Sequence, residues 1–318
     1  MNNTIKKIKT ENDYIIINKN INNIDDLIYI AELYDSTKKY NIDLGKLFKI
    51  LPILKELNNV IGMEAVKKNI VNQIIFFLQN FQEKNSDMLH TIIQGPPGVG
   101  KTLLAKIIGK IYYKLGIIQQ PIQQQSKLIG QCCGPSNKKI MINKLINNNE
   151  NNDMKFVVAR RSDLIAEYLG QTAVKTQRVI DSALGGVLFI DEAYSLGNDE
   201  GRDSFAKECI DTINLNLTEK KNQILVIIAG YKDALDTCFF SYNEGLRRRF
   251  PFVYTIEPYN HNELRKILIK MIRDIEWDIK SENEIPEKFF KDNMKYFNNF
   301  AGDMETCLLY TSPSPRDS

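Results

Sequence analysis

Histidine and cysteine are scarce in this sequence, and their scarcity excludes several kinds of active site. Only two histidines, His90 and His261, occur in 318 residues, so we expect neither a histidine-based metal centre nor a histidine-dependent triad. The cysteines are odd in number, five in all, and lack paired metal-ligand spacing: Cys132, Cys133, Cys209, Cys238 and Cys307. Reduced thiols in a cytosol-like compartment are therefore expected rather than a disulfide framework.

A long apolar run and a strong charge imbalance are also missing. No apolar segment approaches the roughly 18 residues of a membrane-spanning helix, and the Asn- and Lys-rich N-terminus does not resemble a signal peptide. The 42 basic and 39 acidic side chains leave a net charge of +3, which is too balanced to indicate a nucleic-acid surface. The sequence therefore predicts a soluble cytoplasmic protein with no membrane partner, and it disfavours a nucleic-acid partner.

The strongest motif that is present lies at residues 95–102. These residues read Gly-Pro-Pro-Gly-Val-Gly-Lys-Thr and match the pattern G-x-x-x-x-G-K-[ST] at every fixed position. A short apolar strand is predicted just before them, at 91–94, and apolar residues at helical spacing follow as far as Gly116, a candidate C-cap. The motif thus stands in the strand, loop and helix context of a phosphate-binding loop.

Each residue type in this loop suits a nucleoside triphosphate. Gly95, Gly98 and Gly100 let the backbone wrap round phosphates, while Lys101 can reach the β and γ phosphates and the Thr102 hydroxyl can ligate Mg²⁺. The sequence therefore predicts a site for ATP and Mg²⁺. The expected contact residues of the loop are Gly95, Pro96, Pro97, Gly98, Val99, Gly100, Lys101, Thr102 and Leu103.

Two adjacent acids follow a continuous apolar run at 187–190. Such runs suit strands buried on both faces of a parallel sheet, and ligands bind outside the carboxyl ends of those strands. Asp191 is therefore expected to hold Mg²⁺, and Glu192 to orient and deprotonate the attacking water. An acidic turn without function is the alternative, and the combination with Lys101 and Thr102 outweighs it.

Segments outside the predicted core differ from it in composition. Residues 1–56 are expected to form a polar and helical extension, disordered to about residue 23, with a second apolar run that Pro52 breaks; this extension is either an appendage of the core or a partner-binding segment. Residues 119–153 are polar and are expected to form a surface insertion. The tail, 307–318, lacks Asn, Ile and Lys, so we expect it to be non-native.

Two further segments carry candidate functional side chains. In 162–172, Tyr168 lies two residues before the flexible Gly170, and Thr172 can cap the helix that follows. Three arginines at 247–249 precede the last predicted strand. They form either a solvated basic face or a cation supplied to the γ phosphate of a neighbouring subunit.

The order of these motifs resembles that of the AAA+ ATPases. More specifically, residues 168–176, 185–196 and 229–233 are similar to the CbxX/CfqX family. This resemblance implies an α/β fold in which an AAA+ P-loop core at 57–257, with a parallel five-stranded sheet between helices, precedes a small helical lid at 258–306 that looks truncated. It also implies a homo-oligomeric ring, a hexamer in this family.

The resemblance also implies roles for individual residues. It makes Lys101 and Thr102 the Walker A pair and Asp191 and Glu192 the Walker B pair. Arg249 becomes the arginine finger, with Arg248 as second choice, and Tyr168 the pore-loop aromatic that grips a threaded polypeptide. Val60, Ile61 and Gly62 match the adenine-contacting turn.

Two positions depart from the common AAA+ pattern. Ala229, Gly230 and Tyr231 stand where many members have the asparagine of sensor 1, and residues 300–303 contain no arginine for sensor 2.

We expect an ATP-hydrolysing ring that remodels a protein client of unknown identity. The alternatives are a nucleotide-gated scaffold with little hydrolysis and a DNA-acting AAA+ relative.

Overall fold

A parallel sheet of five strands forms the centre of the computed structural model, which describes residues 14–15, 17, 21–79, 88–119, 154–168, 170–198, 203–243, 245–277 and 285–311. The strands of the chain are β1 (Tyr14–Ile15), β2 (Lys39–Tyr40), β3 (Thr91–Gln94), β4 (Phe156–Ala159), β5 (Gly186–Ile190), β6 (Ile224–Gly230) and β7 (Phe252–Thr255). The large sheet has the order β4-β5-β6-β3-β7, and all its neighbours pair in parallel. The predicted fold class is thereby confirmed.

Helices lie on both faces of this sheet and in the N-terminal and C-terminal parts of the chain. They are α1 (Ile24–Glu32), α2 (Leu44–Lys49), α3 (Leu51–Asn58), α4 (Glu64–Leu78), α5 (Lys101–Lys114), α6 (Arg161–Leu164), α7 (Thr172–Ser182), α8 (Ser204–Glu219), α9 (Lys232–Cys238), α10 (His261–Asp274), α11 (Glu287–Asn293) and α12 (Ala301–Thr311). A 3₁₀ helix at Ala193–Leu196 follows β5.

The three central strands are apolar along their whole length because both of their faces are covered. All residues of β3, β5 and β6 are buried. Ile93 and Phe189 face a core that includes α4 and α5, whereas the neighbouring residues Ile92 and Leu188 face the core of α7 and α8. Side chains of a strand alternate between its two faces, so continuous apolar runs are what a sheet between two helical layers requires.

The N-terminal extension packs into the same core as α4 and α5. As predicted, its second apolar run is interrupted near Pro52, which stands in the first turn of α3, where a missing N–H leaves no helical hydrogen bond unmade. Lys110 Nζ on α5 lies 2.8 Å from Glu56 Oε2 on α3. Part of the stretch expected to be disordered is ordered, since β1 pairs in parallel with β2.

Helices α10, α11 and α12 form the C-terminal helical part of the chain, which the sequence predicts to be a lid and which is called the lid below. Asn260 and Glu263 make a capping box at the start of α10, and Lys270 Nζ donates to the carbonyl of Asn59, 3.1 Å away, which ties the lid to the turn after α3. Helix α12 continues to Thr311, where Leu309 and Tyr310 are 72% and 87% exposed. The described end of the chain therefore adds little to the core, and its non-native origin stays a prediction.

Several expectations fall outside the described residues. They concern residues 1–13, the bulk of the insertion at 120–153, and the last seven positions, 312–318. Among the helices that the structure does describe, none is both long and apolar enough to cross a bilayer.

Candidate functional site

The glycine-rich loop runs from the end of β3 to the start of α5 at the carboxyl edge of the sheet. Gly95, Gly98 and Gly100 all have positive φ, +158°, +70° and +87°. A β-carbon on Gly95 would lie 2.8 Å from the carbonyl oxygen of Ile256, and Gly95 donates its N–H to the Gly230 carbonyl at 3.2 Å. The loop is therefore held against both neighbouring strands in a conformation that only glycine adopts at low cost.

Lys101, the first residue of α5, is bound to its own loop. Its ammonium donates to the carbonyls of Gly95 at 3.0 Å and Pro96 at 2.7 Å. Burial lowers the pKa of Lys101, and the negative charges of Asp191 and Glu192 partly oppose that shift. The lysine thus lies within the electrostatic reach of both acids, as the sequence predicts for a phosphate site.

The two acids lie at the end of β5, where the backbone turns sharply. Asp191 donates its N–H to the carbonyl of Ala159 at 3.1 Å, and its Oδ1 accepts a hydrogen bond from the N–H of Glu192 at 3.1 Å. Glu192 has φ 51° and ψ 46°, a left-handed conformation that is uncommon for a residue with a side chain. Non-glycine residues of this kind concentrate at functional sites.

Two tyrosines that sequence reasoning left without a role lie beside these groups. Tyr231 follows β6, and the centroid of its ring is 5.7 Å from Lys101 Nζ. The ring of Tyr194 is 5.8 Å from that of Tyr231. Burial and then the charge of Glu192 raise the pKa of Tyr194. Because β6 lies between β3 and β5, Tyr231 stands at the sheet edge between the strand that leads to the glycine loop and the strand that leads to the acids.

The turn expected to contact adenine lies next to the loop. Val60 and Ile61 pack on the core, and Gly62 has φ +72°, with Glu263 Oε1 only 2.8 Å from where its β-carbon would be. Met63 Cε lies 3.2 Å from the β-carbon position of Gly100. The turn, the loop and the lid therefore meet at one place, although a contact with a base stays a prediction.

Lid residues close to the loop were not predicted. Tyr259 donates its hydroxyl to the carbonyl of Val99 at 3.0 Å, and Phe300 packs against its ring edge-on, with centroids 6.3 Å apart. Ala301 N–H donates to the Gly98 carbonyl at 3.2 Å. A single tyrosine after a strand carries no periodic signal, so only the folded chain reveals these contacts.

Tyr168 lies on the surface of the core, 66% exposed. The expected cap by Thr172 is not made, because Thr172 is the first residue of α7 and its hydroxyl instead accepts the N–H of Ala166 at 3.2 Å. This bond joins the residues before and after Tyr168 into a closed segment. A solvated aromatic side chain on a short, closed segment is compatible with a pore loop.

The three arginines before β7 differ in their surroundings. Arg249 donates from Nε to Thr218 Oγ1 at 2.9 Å and from Nη1 to the carbonyl of Gly245 at 2.8 Å. Arg247 stacks over the ring of Phe240, 4.7 Å from its centroid. Arg248 is exposed. The first choice for an arginine finger is thus bonded within its own chain, and the second choice faces solvent.

The residues at this edge fit a magnesium-bound nucleoside triphosphate. Three glycines with positive φ open the loop backbone, a lysine stands at the N-terminus of a 14-residue helix, and a pair of carboxylates follows the strand beyond β6. Helix N-termini and inward-pointing amides bind phosphate. Hydroxyl and carboxylate oxygens, here of Thr102 and Asp191, are the ligands that Mg²⁺ prefers.

Known proteins share this arrangement of motifs. The model of the ATPase family associated with various cellular activities (AAA) matches residues 91–257. A cfxQ-like protein of Acanthamoeba polyphaga mimivirus is 39% identical over 91% of this chain, and stage V sporulation protein K of Bacillus subtilis is 33% identical over 80%. The chain spans 64% and 68% of the lengths of these two relatives. Among solved structures, the FIGL-1 AAA domain in complex with ADP aligns with 73% of this chain and 65% of its own, at 18% identity and a TM-score of 0.47.

Proposed function

This chain belongs to the AAA family of ATPases, and on that premise we propose that it binds Mg²⁺ and ATP at the carboxyl edge of its sheet and hydrolyses the nucleotide. The observation that carries the proposal is the surroundings of Lys101. Its ammonium bonds the glycine loop, and the negative charges of Asp191 and Glu192 both raise its pKa against the effect of burial. A lysine surrounded in this way has the charge and the mobility to exchange two carbonyl partners for phosphate oxygens.

Each residue of the site has a distinct task in this proposal. The loop amides and Lys101 bind the phosphates, and Thr102 and Asp191 hold Mg²⁺, which supplies charge neutralisation when bound. Glu192 orients the attacking water and accepts its proton. Glu192 has a left-handed backbone, which departs from the extended conformation of the strand, and in this proposal that turn lets the base and the metal ligand act separately although they are adjacent in sequence.

We further propose that copies of this chain form a ring that acts on a protein client. Exposed Tyr168 on its closed segment is the feature that supports this proposal. An aromatic side chain in solvent offers a large, rigid contact surface to an unfolded polypeptide. Arg249 would complete the site of the neighbouring subunit, which makes hydrolysis dependent on assembly.

A nucleotide-gated scaffold with little hydrolysis is the second candidate. One observation favours it: the described lid segment 285–311 contains no arginine, and the described lid groups that bond the glycine loop are the Ala301 amide and the Tyr259 hydroxyl. A scaffold of this kind would bind ATP, assemble and turn over only slowly.

Glu192→Gln tests the proposed base, and the turnover of the native sequence separates the two functions. We expect this variant to bind ATP with unchanged affinity in calorimetry, while the rate of phosphate release falls by about 10²- to 10⁴-fold. Glu219→Gln, at an exposed position of α8, is the matched control and should keep full turnover. Slow release by the native sequence itself would support the scaffold, and undiminished release by Glu192→Gln would reject Glu192 as the base.

A further inference from the structure

Arg161 joins two parts of the core that the proposed function assigns to different tasks. It is the first residue of α6, seven positions before Tyr168. Its Nη1 donates to the carbonyl oxygens of Ser195 at 2.6 Å and Leu196 at 2.9 Å, and its Nη2 to Asp203 Oδ2 at 2.8 Å. One guanidinium thus connects the pore-loop segment to the chain beyond the acid pair.

The carbonyl partners of Arg161 belong to the turn that follows the catalytic candidate directly. Ser195 and Leu196 end the 3₁₀ helix that begins right after Glu192, and the N–H of Ser195 donates to the carbonyl of Glu192 at 2.8 Å. Arg161 therefore bonds the backbone one helical turn after Glu192. A movement of the backbone at Glu192 displaces the two carbonyls to which Arg161 is bound.

The third partner fixes the same guanidinium to a long helix. Asp203 is the N-cap of α8, and its Oδ1 accepts the N–H groups of Phe205 at 3.0 Å and Ala206 at 3.1 Å. Its other oxygen accepts the bond from Arg161. Arginine makes several directed bonds from one planar group, so this single side chain fixes α6 against both elements.

On the other side, α6 is tied to the helix that follows the pore loop. Lys175 Nζ donates to the carbonyls of Ser162 at 2.6 Å and Ile165 at 2.9 Å, and Thr176 Oγ1 donates to the carbonyl of Leu164 at 2.9 Å. The backbone from α6 to the start of the Tyr168 segment is thus bonded to α7. These bonds join α6 to the helix that follows Tyr168, so a displacement of α6 would act on the chain on both sides of Tyr168.

We propose that Arg161 is the positioning residue that couples the state of the nucleotide site to the position of Tyr168. The inference rests on the proposed function, because it assigns a route between the two sites that the function requires. The hydrogen bonds of Arg161 go to Ser195, Leu196 and Asp203 and not to the glycine loop or the Glu192 side chain, so the proposed role is transmission and not chemistry. Coupling through a contiguous hydrogen-bond network requires that both ends respond to the same ligand.

Hydrogen exchange of two peptides in the full chain tests this coupling without knowledge of the client. In a Glu192→Gln background, Mg²⁺ and ATP should protect the loop peptide, 91–104, and also change exchange in the pore-loop peptide, 162–172, by about fivefold or more, the lower end of typical site-to-site coupling. Arg161→Met should keep the first response and the affinity for ATP, and lose the second. Arg160→Met, which removes an exposed charge next door, should keep both.

Two conservative variants separate coupling from local unfolding. Arg161→Lys retains the positive charge but lacks the planar guanidinium that bonds three oxygens at once. Asp203→Asn retains an N-cap residue but lacks the ion pair. Both variants should give a reduced pore-loop response, with unchanged exchange in the absence of ATP. Two outcomes would overturn the coupling but not the proposed nucleotide site. One is a pore-loop response that Arg161→Met leaves undiminished. The other is a parent chain in which ATP protects 91–104 but does not change exchange in the pore-loop peptide. Absence of protection at 91–104 would reject the proposed function itself and the coupling with it.

Discussion

The backbone of Asn299 in the lid covers Gly98 so closely that a β-carbon on Gly98 would lie 1.7 Å from the Asn299 carbonyl oxygen. The neighbouring lid residue Ala301 donates its N–H to the Gly98 carbonyl at 3.2 Å. The glycine loop therefore serves two purposes, since the same backbone that is suited to phosphate also supports the lid. We therefore expect a change in the loop on nucleotide binding to act on the lid through these contacts.

Gly98→Ala should detach the lid from the loop. Alanine at φ +70° costs about 1–2 kcal/mol by itself, and the overlap with Asn299 adds the roughly 1–3 kcal/mol of an overpacked contact. We expect faster hydrogen exchange in the lid peptide 294–311 and weaker ATP binding. Both can be measured on the same purified variant.

Gly116→Ala is the matched control for that experiment. Gly116 has φ +74°, and among the residues that the structure describes none beyond its chain neighbours has an atom within 4 Å of its β-carbon position. Gly116→Ala therefore has about the same unfavourable backbone energy as Gly98→Ala but creates no overlap with a described residue. If both variants lose the same stability and keep the same lid exchange, the contact between Gly98 and Asn299 does not hold the lid.

His90 should make the stability of the core depend on pH. The imidazole is fully buried; its Nδ1 accepts the N–H of Val226 at 3.1 Å, and its Nε2 lies 3.0 Å from the carbonyl of Leu217. Burial lowers the pKa of His90 from 6.5 to about 4. The unfolded chain therefore binds the proton first as the pH falls, and protons favour unfolding between these two values.

The expected loss can be calculated from that shift. Stability from neutral His90 is fully present above pH 6.5 and falls by about 1.36 kcal/mol per pH unit below it, which gives about 2 kcal/mol at pH 5. Urea unfolding at pH 7 and pH 5 measures this difference. His90→Gln should be less stable at pH 7 and show a smaller difference between the two pH values; an unchanged difference would contradict the assignment to His90.

The sequence predicted the sheet because burial on both faces leaves a pattern that does not depend on distant contacts. The apolar runs of β3, β5 and β6 had to be strands covered on two sides, and the loop between β3 and α5 follows from its glycines and lysine. The same reasoning explains why the ends of these elements, where Gly95 and Asp191 stand, meet at one edge of the sheet.

Contacts between segments far apart in the chain could not be predicted in this way. The meeting of Gly98 with Asn299, of Val99 with Tyr259 and of Arg161 with Ser195 depends on how the elements pack. No local spacing encodes these pairs, because each joins two residues that lie far apart in the sequence. Thr172 shows the same limit at short range: its hydroxyl can cap a helix or bond a nearby loop, and only the folded segment decides between them.

The arginines of 247–249 yield a prediction about assembly. Arg249 is the first choice for an arginine finger, yet its bonds to Thr218 and Gly245 hold it within its own chain. It can reach a neighbouring site only if contact between subunits replaces those two bonds. We therefore expect Arg249→Ala to bind ATP normally and to lose about a thousandfold in turnover, whereas Arg248→Ala, the adjacent exposed control, should keep most of its rate.

Mixing two inactive variants shows whether Arg249 acts between subunits. Glu192→Gln lacks the base but retains the arginine, and Arg249→Ala lacks the arginine but retains the base. If Arg249 serves the next subunit, an Arg249→Ala site beside a Glu192→Gln subunit contains both groups, and phosphate release should reappear in the mixture in proportion to such pairs. No recovery, with assembly of the mixed ring established by size, would mean that Arg249 serves its own subunit. A loss confined to Arg248→Ala would instead identify Arg248 as the finger, because its guanidinium is exposed and forms no hydrogen bond within the part of the chain that the structure describes.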